Sequence, residues 1–217
     1  GFKKDINNFK SFIDEYIYRE FKYNDNSFPE TMKTNTINTE WGSKTNGKEI
    51  GDDELSELLE KVEKKNDNKS ITFFEILTAA YFYKAAEYPN NINLIEAGLF
   101  HRFDATNILK QNLASVVTSI GLDHLDWLPK NEQNVEKIIF EKTSSLLNSN
   151  IIVAKQTSKD ISDHIKKAIK TNKSKKNFYN ESYNFLTGEN NFFYYEDKFG
   201  GLKLPLPNIL GQFQLEN

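Results

Sequence analysis

The chain has 217 residues, enough to bury the core of one large domain. Its 28 Lys and Arg are outnumbered by 31 Asp and Glu, and a net charge of -3 argues against a nucleic-acid or membrane-surface protein, which needs a basic excess. There is no cysteine, so disulfides, thiolate metal centres and cysteine nucleophiles are excluded.

No apolar run is long enough to span a bilayer and no signal peptide is read, so a cytoplasmic protein is expected. Phe9, Phe12, Ile13, Tyr16, Ile17 and Phe21 recur at helical spacing and predict an amphipathic helix from residue 1 to about 24. The polar residues 24 to 50 read as loop or short strands. Asp52 and Asp53 open a helix with Leu55, Leu58, Leu59 and Val62 that ends in Lys64 and Lys65, an acidic start and basic finish that suit the helix dipole. Thr72-Phe73-Phe74-Glu75 matches a capping box, starting a helix to about Glu87 with Phe74, Leu77, Thr78, Tyr81 and Phe82 facing inward.

Pro89-Asn90-Asn91 stops that helix before an apolar strand at 92–96, which ends in Glu96. A Gly-bounded loop, a short helix near 106–113 and a strand at 115–120 follow. A helix at 131–148, a strand at 151–154 and a helix at 158–171 come next. Lys173, Lys175 and Lys176 read as solvated surface in preference to a phosphate patch. Phe192-Phe193-Tyr194-Tyr195 and Leu202-Lys203-Leu204, turning through Gly200-Gly201, predict a hairpin. Strands alternating with helices imply right-handed crossovers. The predicted class is therefore α/β: a parallel sheet flanked by helices, with a C-terminal β-hairpin extension at 190–207, all within one domain.

Glu96 and His124 each stand just past an apolar strand. If the two strands are neighbours, both side chains reach one edge of one sheet and share a metal; otherwise they are a strand-end carboxylate and a hydrogen-bonded core histidine. Oxygen donors suit Mg²⁺ while an imidazole points to Zn²⁺ or Mn²⁺, so residue types leave the ion open. Lys142, after Glu141, reads as a surface ion pair or as a phosphate-holding lysine near that edge. Gly42-Ser43-Lys44-Thr45-Asn46-Gly47-Lys48 has the spacing of a phosphate loop, but Glu49 stands where a Ser or Thr should bind Mg²⁺, and no apolar strand precedes it.

Several motifs together resemble the Mur ligase superfamily in its folylpolyglutamate synthase and dihydrofolate synthase branch. They are Thr72-Phe73-Phe74-Glu75 with Thr78, Glu96-Ala97-Gly98, Arg102-Phe103-Asp104-Ala105-Thr106-Asn107, Thr118-Ser119-Ile120-Gly121-Leu122-Asp123-His124 and Phe140-Glu141-Lys142. Leu204-Pro205-Leu206-Pro207 and the final Gly211 to Asn217 resemble the segment where the family leaves its central domain. The resemblance implies a three-layer, P-loop-type parallel sheet flanked by helices, and an ATP-dependent ligase that activates a carboxylate as an acyl phosphate, which glutamate's amine then attacks. On that basis Glu96 and His124 are Mg²⁺ ligands, Lys142 matches the carbamylated lysine, and Arg102 and Asp104 complete the catalytic set. Asn8 and Lys10 match the family's phosphate loop and Asn217 its adenine contact. ATP and Mg²⁺ are the implied cofactors, and folate or dihydropteroate with glutamate the implied substrates, handled by a monomer with no nucleic-acid or membrane partner.

The departures are equally specific. The stretch Ile6 to Phe12 lacks the glycines of the phosphate loop, Phe100 and His101 replace paired glycines, Thr143-Ser144 replaces Ala-Gly, and Phe213 stands where the family has His. The N-terminal segment and C-terminal domain of the family have no counterpart in the chain, which reads as its central domain truncated at both ends. The expectation is weak or absent binding of ATP with Mg²⁺, and a second reading follows: a divergent pseudoenzyme or binding module that keeps the fold and has lost nucleotide binding.

Overall fold

A computed structural model describes residues 34–38, 42–45, 48–187 and 192–206. It divides into two compact units, 1–108 and 109–217. The helix expected before residue 24 and the altered phosphate loop lie outside the described residues.

In the first unit, β1 (Thr34–Asn38), β2 (Gly42–Thr45) and β3 (Lys48–Glu49) form an antiparallel ribbon from the polar segment. β4 (Ile92–Ile95) joins it parallel to β1, with Thr34 opposite Ile92 and Ile37 opposite Ile95, in the order β3-β2-β1-β4. The return from β3 to β4 runs through α1 (Asp52–Asn66) and α2 (Phe73–Ala85). α1 has the expected charge polarity and stops at Asp67, whose φ of 55° lets its N–H close on the Glu63 carbonyl. Leu58 and Val62, one helical turn apart, carry its buried face. α2 starts at the predicted capping box: Thr72 Oγ1 accepts from the Glu75 N–H, and the Glu75 carboxylate accepts from the Thr72 N–H at 2.8 Å.

α2 buries Thr78, Ala79, Ala80, Tyr81, Phe82 and Ala85, so it is enclosed on most sides and packs against α1. Phe74, predicted inward, is instead 52 % exposed beside Phe73: packing begins at Glu75, and the first-turn rings stand clear of it. Two side chains tie α2 down. Lys84 bridges Glu54 of α1 at 2.7 Å and Glu87 at 2.5 Å, hydrogen bonds that hold its pKa above the usual lysine range. The Tyr81 hydroxyl donates to Asn93 Oδ1 of β4 at 2.9 Å, and burial raises its pKa.

In the second unit, β5 (Ala114–Val117), β6 (Asn150–Val153) and β7 (Lys175–Phe178) form a parallel sheet in that order. α3 (Val135–Thr143) and α4 (Lys159–Ala168) make the two crossovers and pack on each other. Each is capped by a polar side chain, Asn134 Oδ1 accepting from Lys137 N–H and Ser158 Oγ from Ile161 N–H. Val117, Val153 and Phe178 share one row of the ladder and are buried, whereas Val116 on the opposite face is 58 % exposed. Ile138, Ile139, Ile151, Val153, Ile165 and Ile169 are almost fully enclosed and form the core, each contributing about 1.5–3 kcal/mol by burial.

The α/β class thus holds, with parallel strands joined by helical crossovers. Local boundaries differ. The stretch 106–113 is turn and bend rather than helix, the strand expected at 115–120 ends at Val117, and the helix expected at 131–148 is a 3₁₀ turn at Lys130–Glu132 followed by α3 alone. The lysine-rich stretch also contains β7, in which Lys175 is exposed, as is Lys173 just before it, in keeping with the solvated surface expected there. The C-terminal hairpin is present as part of a three-stranded meander, β8 (Tyr183–Thr187), β9 (Phe192–Asp197) and β10 (Gly200–Pro205). The Tyr183 hydroxyl donates to the Val153 carbonyl at 2.9 Å, joining meander to sheet. Gly200, at φ 132°, makes the β9–β10 turn that an L side chain would strain.

Candidate functional site

Glu96 follows β4 directly, at its C-terminal end, where parallel α/β sheets present ligand-binding groups. Its side chain is exposed and has no hydrogen-bond or ion-pair partner among the described residues. The loop behind it is built on Asp104. Oδ2 accepts from the N–H groups of Gly98 at 2.9 Å and Leu99 at 3.1 Å, while Oδ1 accepts from the Thr106 N–H at 2.9 Å and its hydroxyl at 2.5 Å. Both oxygens therefore serve the loop itself. Asn107 adds a bond to the Arg102 carbonyl at 3.1 Å, and the Arg102 guanidinium lies over the Phe103 ring at 4.1 Å. Phe100 sits at φ 55°, a left-handed conformation that glycine accepts without strain. Desolvation lowers the pKa of the neighbouring His101, with the Asp104 charge opposing.

In the second unit the matching edge is the C-terminal end of β5 and β6. His124 lies at the exposed end, Gly121 to His124, of the loop 118–124, with φ 54°, opening the 3₁₀ turn Leu125–Trp127. Asp123 holds it twice, accepting from the His124 N–H at 2.8 Å and lying 3.0 Å from Nε2. Lys142 is half-buried near the end of α3, next to Glu141, which is 5 % exposed and faces Lys137 Nζ at 3.4 Å. Hydrogen bonds to Glu132 and Glu141 hold the Lys137 pKa above the usual lysine range. Gln156, which sequence reasoning missed, links the exits of β5 and β6 through Ile120, Thr118 and Ala154. Its only sequence signal is an amide side chain just past an apolar strand.

The expected neighbouring of the strands that carry Glu96 and His124 needs correction. β4 is hydrogen-bonded to β1, and β5 to β6, in separate sheets among the described residues. The apolar run of β4 marks it as a strand, though one with no fully buried residue and Leu94 62 % exposed, and does not name its partner, which the mostly polar stretch Thr34–Asn38 supplies. Glu96, Arg102 and Asp104 thus share one loop, and His124 and Lys142 belong to the other unit. Asn8, Lys10 and Asn217 lie outside the described residues. No group of three His, Asp or Glu side chains forms a ready metal cluster among the described residues. A polar concavity of about 400 Å³ lies at the opposite, N-terminal end of β5 and β6, between residues such as Asn112 and Ser149.

No family profile matches the chain. Among curated proteins it is similar to the dihydrofolate synthase/folylpolyglutamate synthase of Escherichia coli, 35 % identical over 91 residues that make up 41 % of this chain and 21 % of that protein. The namesake in Haemophilus influenzae is 41 % identical over 80 residues, 36 % of this chain and 17 % of its own. Among solved structures, E. coli FolC in complex with DHPP and ADP superposes at a TM-score of 0.71 with 22 % identity, covering all of this chain and 49 % of the other. The bifunctional folylpolyglutamate synthase/dihydrofolate synthase of Yersinia pestis, complexed with AMPPNP and a Mn ion, gives 0.77 with 19 % identity over 98 % and 56 % of the two chains. The fold is therefore that of these proteins, and the chain spans about half the length of these solved relatives.

Proposed function

From a chain that resembles the folylpolyglutamate/dihydrofolate synthase branch of the Mur ligase superfamily in sequence and shares its fold, we propose a central-domain fragment of an ATP-dependent carbon–nitrogen ligase. It joins glutamate to the carboxylate of a folate or dihydropteroate through an acyl phosphate, and works as a cytoplasmic monomer. The observation that carries this reading is Glu96: a carboxylate without a partner among the described residues, at the C-terminal tip of a parallel strand, inside the motif Glu96-Ala97-Gly98.

Each residue then has a role that chemistry supports. Glu96 and His124 hold Mg²⁺, with Asp123 fixing the imidazole. The cation, when bound, neutralises phosphate charge as the phosphoryl group moves. Asp104 keeps the loop behind Glu96 in shape, and Arg102 offers a planar cation to anionic oxygens. Lys142 is the site of carbamylation, which turns a cation into an anionic group. Asn8 and Lys10 meet the phosphates and Asn217 the adenine.

Calorimetry with ATP and MgCl₂ tests this. The altered phosphate loop sets the expectation at a Kd on the order of 1 mM, about -4 kcal/mol, lost in both Glu96→Ala and His124→Ala. Binding that neither substitution changes refutes the assignment. No heat at saturating nucleotide favours the second reading, a homologue that has lost nucleotide binding. Phe100 supports that reading, since it places a bulky side chain at a left-handed φ of 55° where the family has glycine.

A further inference from the structure

We propose that Gln156 is a positioning residue: its carboxamide sets the course of the loop 118–124 and thereby the place of the His124 imidazole. The proposal rests on the reading of His124 as a cation ligand.

The backbone ladder between β5 and β6 closes with Val117 opposite Val153 and one further bond, Ala154 N–H to the Val117 carbonyl at 2.9 Å. Beyond that point the two chains separate, and Gln156 takes over the pairing with its side chain. Oε1 accepts from the Ile120 N–H at 3.0 Å; Nε2 donates to the carbonyls of Thr118 at 3.1 Å and Ala154 at 2.8 Å. Both amide hydrogens and the carbonyl are thus committed to the backbone on either side of the gap. Ile120, only 2 % exposed, is the anchor this clamp grips. From Gly121 to His124 the loop is exposed. A second carboxamide holds the downstream side, Gln133 Nε2 donating to the carbonyls of Leu125 at 2.9 Å and Leu128 at 3.2 Å. His124 stands on the span between these two fixed points.

The chemistry requires an amide at 156. Alanine gives up all three bonds. Glutamate keeps the acceptor for Ile120 but turns a charged oxygen toward two carbonyl oxygens, so it cannot hold Thr118 and Ala154. Loosening a group that orients a metal ligand lowers metal affinity by about 10- to 100-fold.

The test uses the full chain, with Mn²⁺ as probe titrated into the millimolar range and its uptake read by electron paramagnetic resonance. Backbone hydrogen exchange is measured in parallel without metal. Gln156→Ala and Gln156→Glu are expected to weaken Mn²⁺ binding about tenfold or more and to speed exchange from Ile120 to His124, while Ile151–Val153 of β6 exchange as in the parent. Parent-like Mn²⁺ binding in both variants, with binding lost in His124→Ala, overturns the positioning role and leaves the ligand reading standing. Parent-like binding in His124→Ala, or no uptake by the parent, overturns the ligand reading itself. Unchanged exchange at Ile120 in both variants removes the clamp on structural grounds alone.

Discussion

Replacing Asp104 with asparagine separates a carboxylate that serves its own loop from one that touches substrate. Four donors converge on it: the N–H groups of Gly98, Leu99 and Thr106 and the Thr106 hydroxyl. Asparagine keeps one acceptor oxygen and turns an NH₂ group toward one of the two donor pairs. Gly98 is exposed, so water replaces its bond at little cost, whereas Leu99 is half-buried and Thr106 is 6 % exposed. A hydrogen bond to a charged group contributes about 1.5–3 kcal/mol, so losing one donor pair costs about 2 kcal/mol once water returns to the exposed side. That loss lowers the melting temperature by about 4–8 °C in a chain of this size. It also speeds amide exchange at Leu99 or Thr106 by about 30-fold if opening of the loop controls exchange. Native-state hydrogen exchange read by NMR measures this residue by residue. Parent-like exchange at both amides, together with lost nucleotide binding, would refute the structural role and return Asp104 to the chemistry.

Two further outcomes follow from burial. Ile151→Ala, at a position with no exposed surface in the central strand of its sheet, is expected to cost about 2–5 kcal/mol in urea denaturation; a loss under about 1 kcal/mol would mean that the site collapses around the gap. His101 has a folded-state pKa below its ordinary 6.5, so the unfolded chain takes up the proton first. Its contribution is complete above about pH 6.5 and declines as pH falls from there through the depressed folded value. A parent whose stability curve over that range matches that of His101→Gln would contradict this.

Helices α1, α2 and α4 were legible because their signals are local. The acidic start and basic end of α1 and the capping box of α2 are each satisfied within a few residues of chain, and the Ser158 cap that the structure shows on α4 is equally local. The misses have local causes as well. Leu146 and Leu147 extend the apolar spacing of α3 past Ser144, yet the helix ends there, and Leu146 N–H bonds the Thr143 carbonyl in a turn. Around residues 106–108 the Asp104 carboxylate takes the Thr106 N–H and offers the backbone an alternative to helix. β7 hides behind its lysines. Lys176 spends its ammonium on the carbonyls of Asn172 and Ser174, and only Phe178 shows the burial expected of a strand in this sheet.

The candidate site divides along the same line. Candidates for chemistry could be named because their motifs are contiguous, and the structure places Glu96 at a strand tip, Asp104 in a turn-forming loop and His124 beyond a second strand. Where those residues stand was not readable, since strand pairing is decided by residues far away in sequence. The polar stretch Thr34–Asn38 pairs with β4, and β6, more than thirty residues beyond β5, pairs with β5. Gln156 is the sharpest instance. Nothing around it distinguishes it from any surface glutamine, because its role comes from bonds to Thr118 and Ile120, 38 and 36 residues earlier. A side chain that finishes a sheet where the backbone ladder runs out takes its meaning from the neighbouring strand. Such positions become visible only once the pairing is known, and they are where a divergent sequence can keep its motifs and still lose, or keep, the geometry those motifs need.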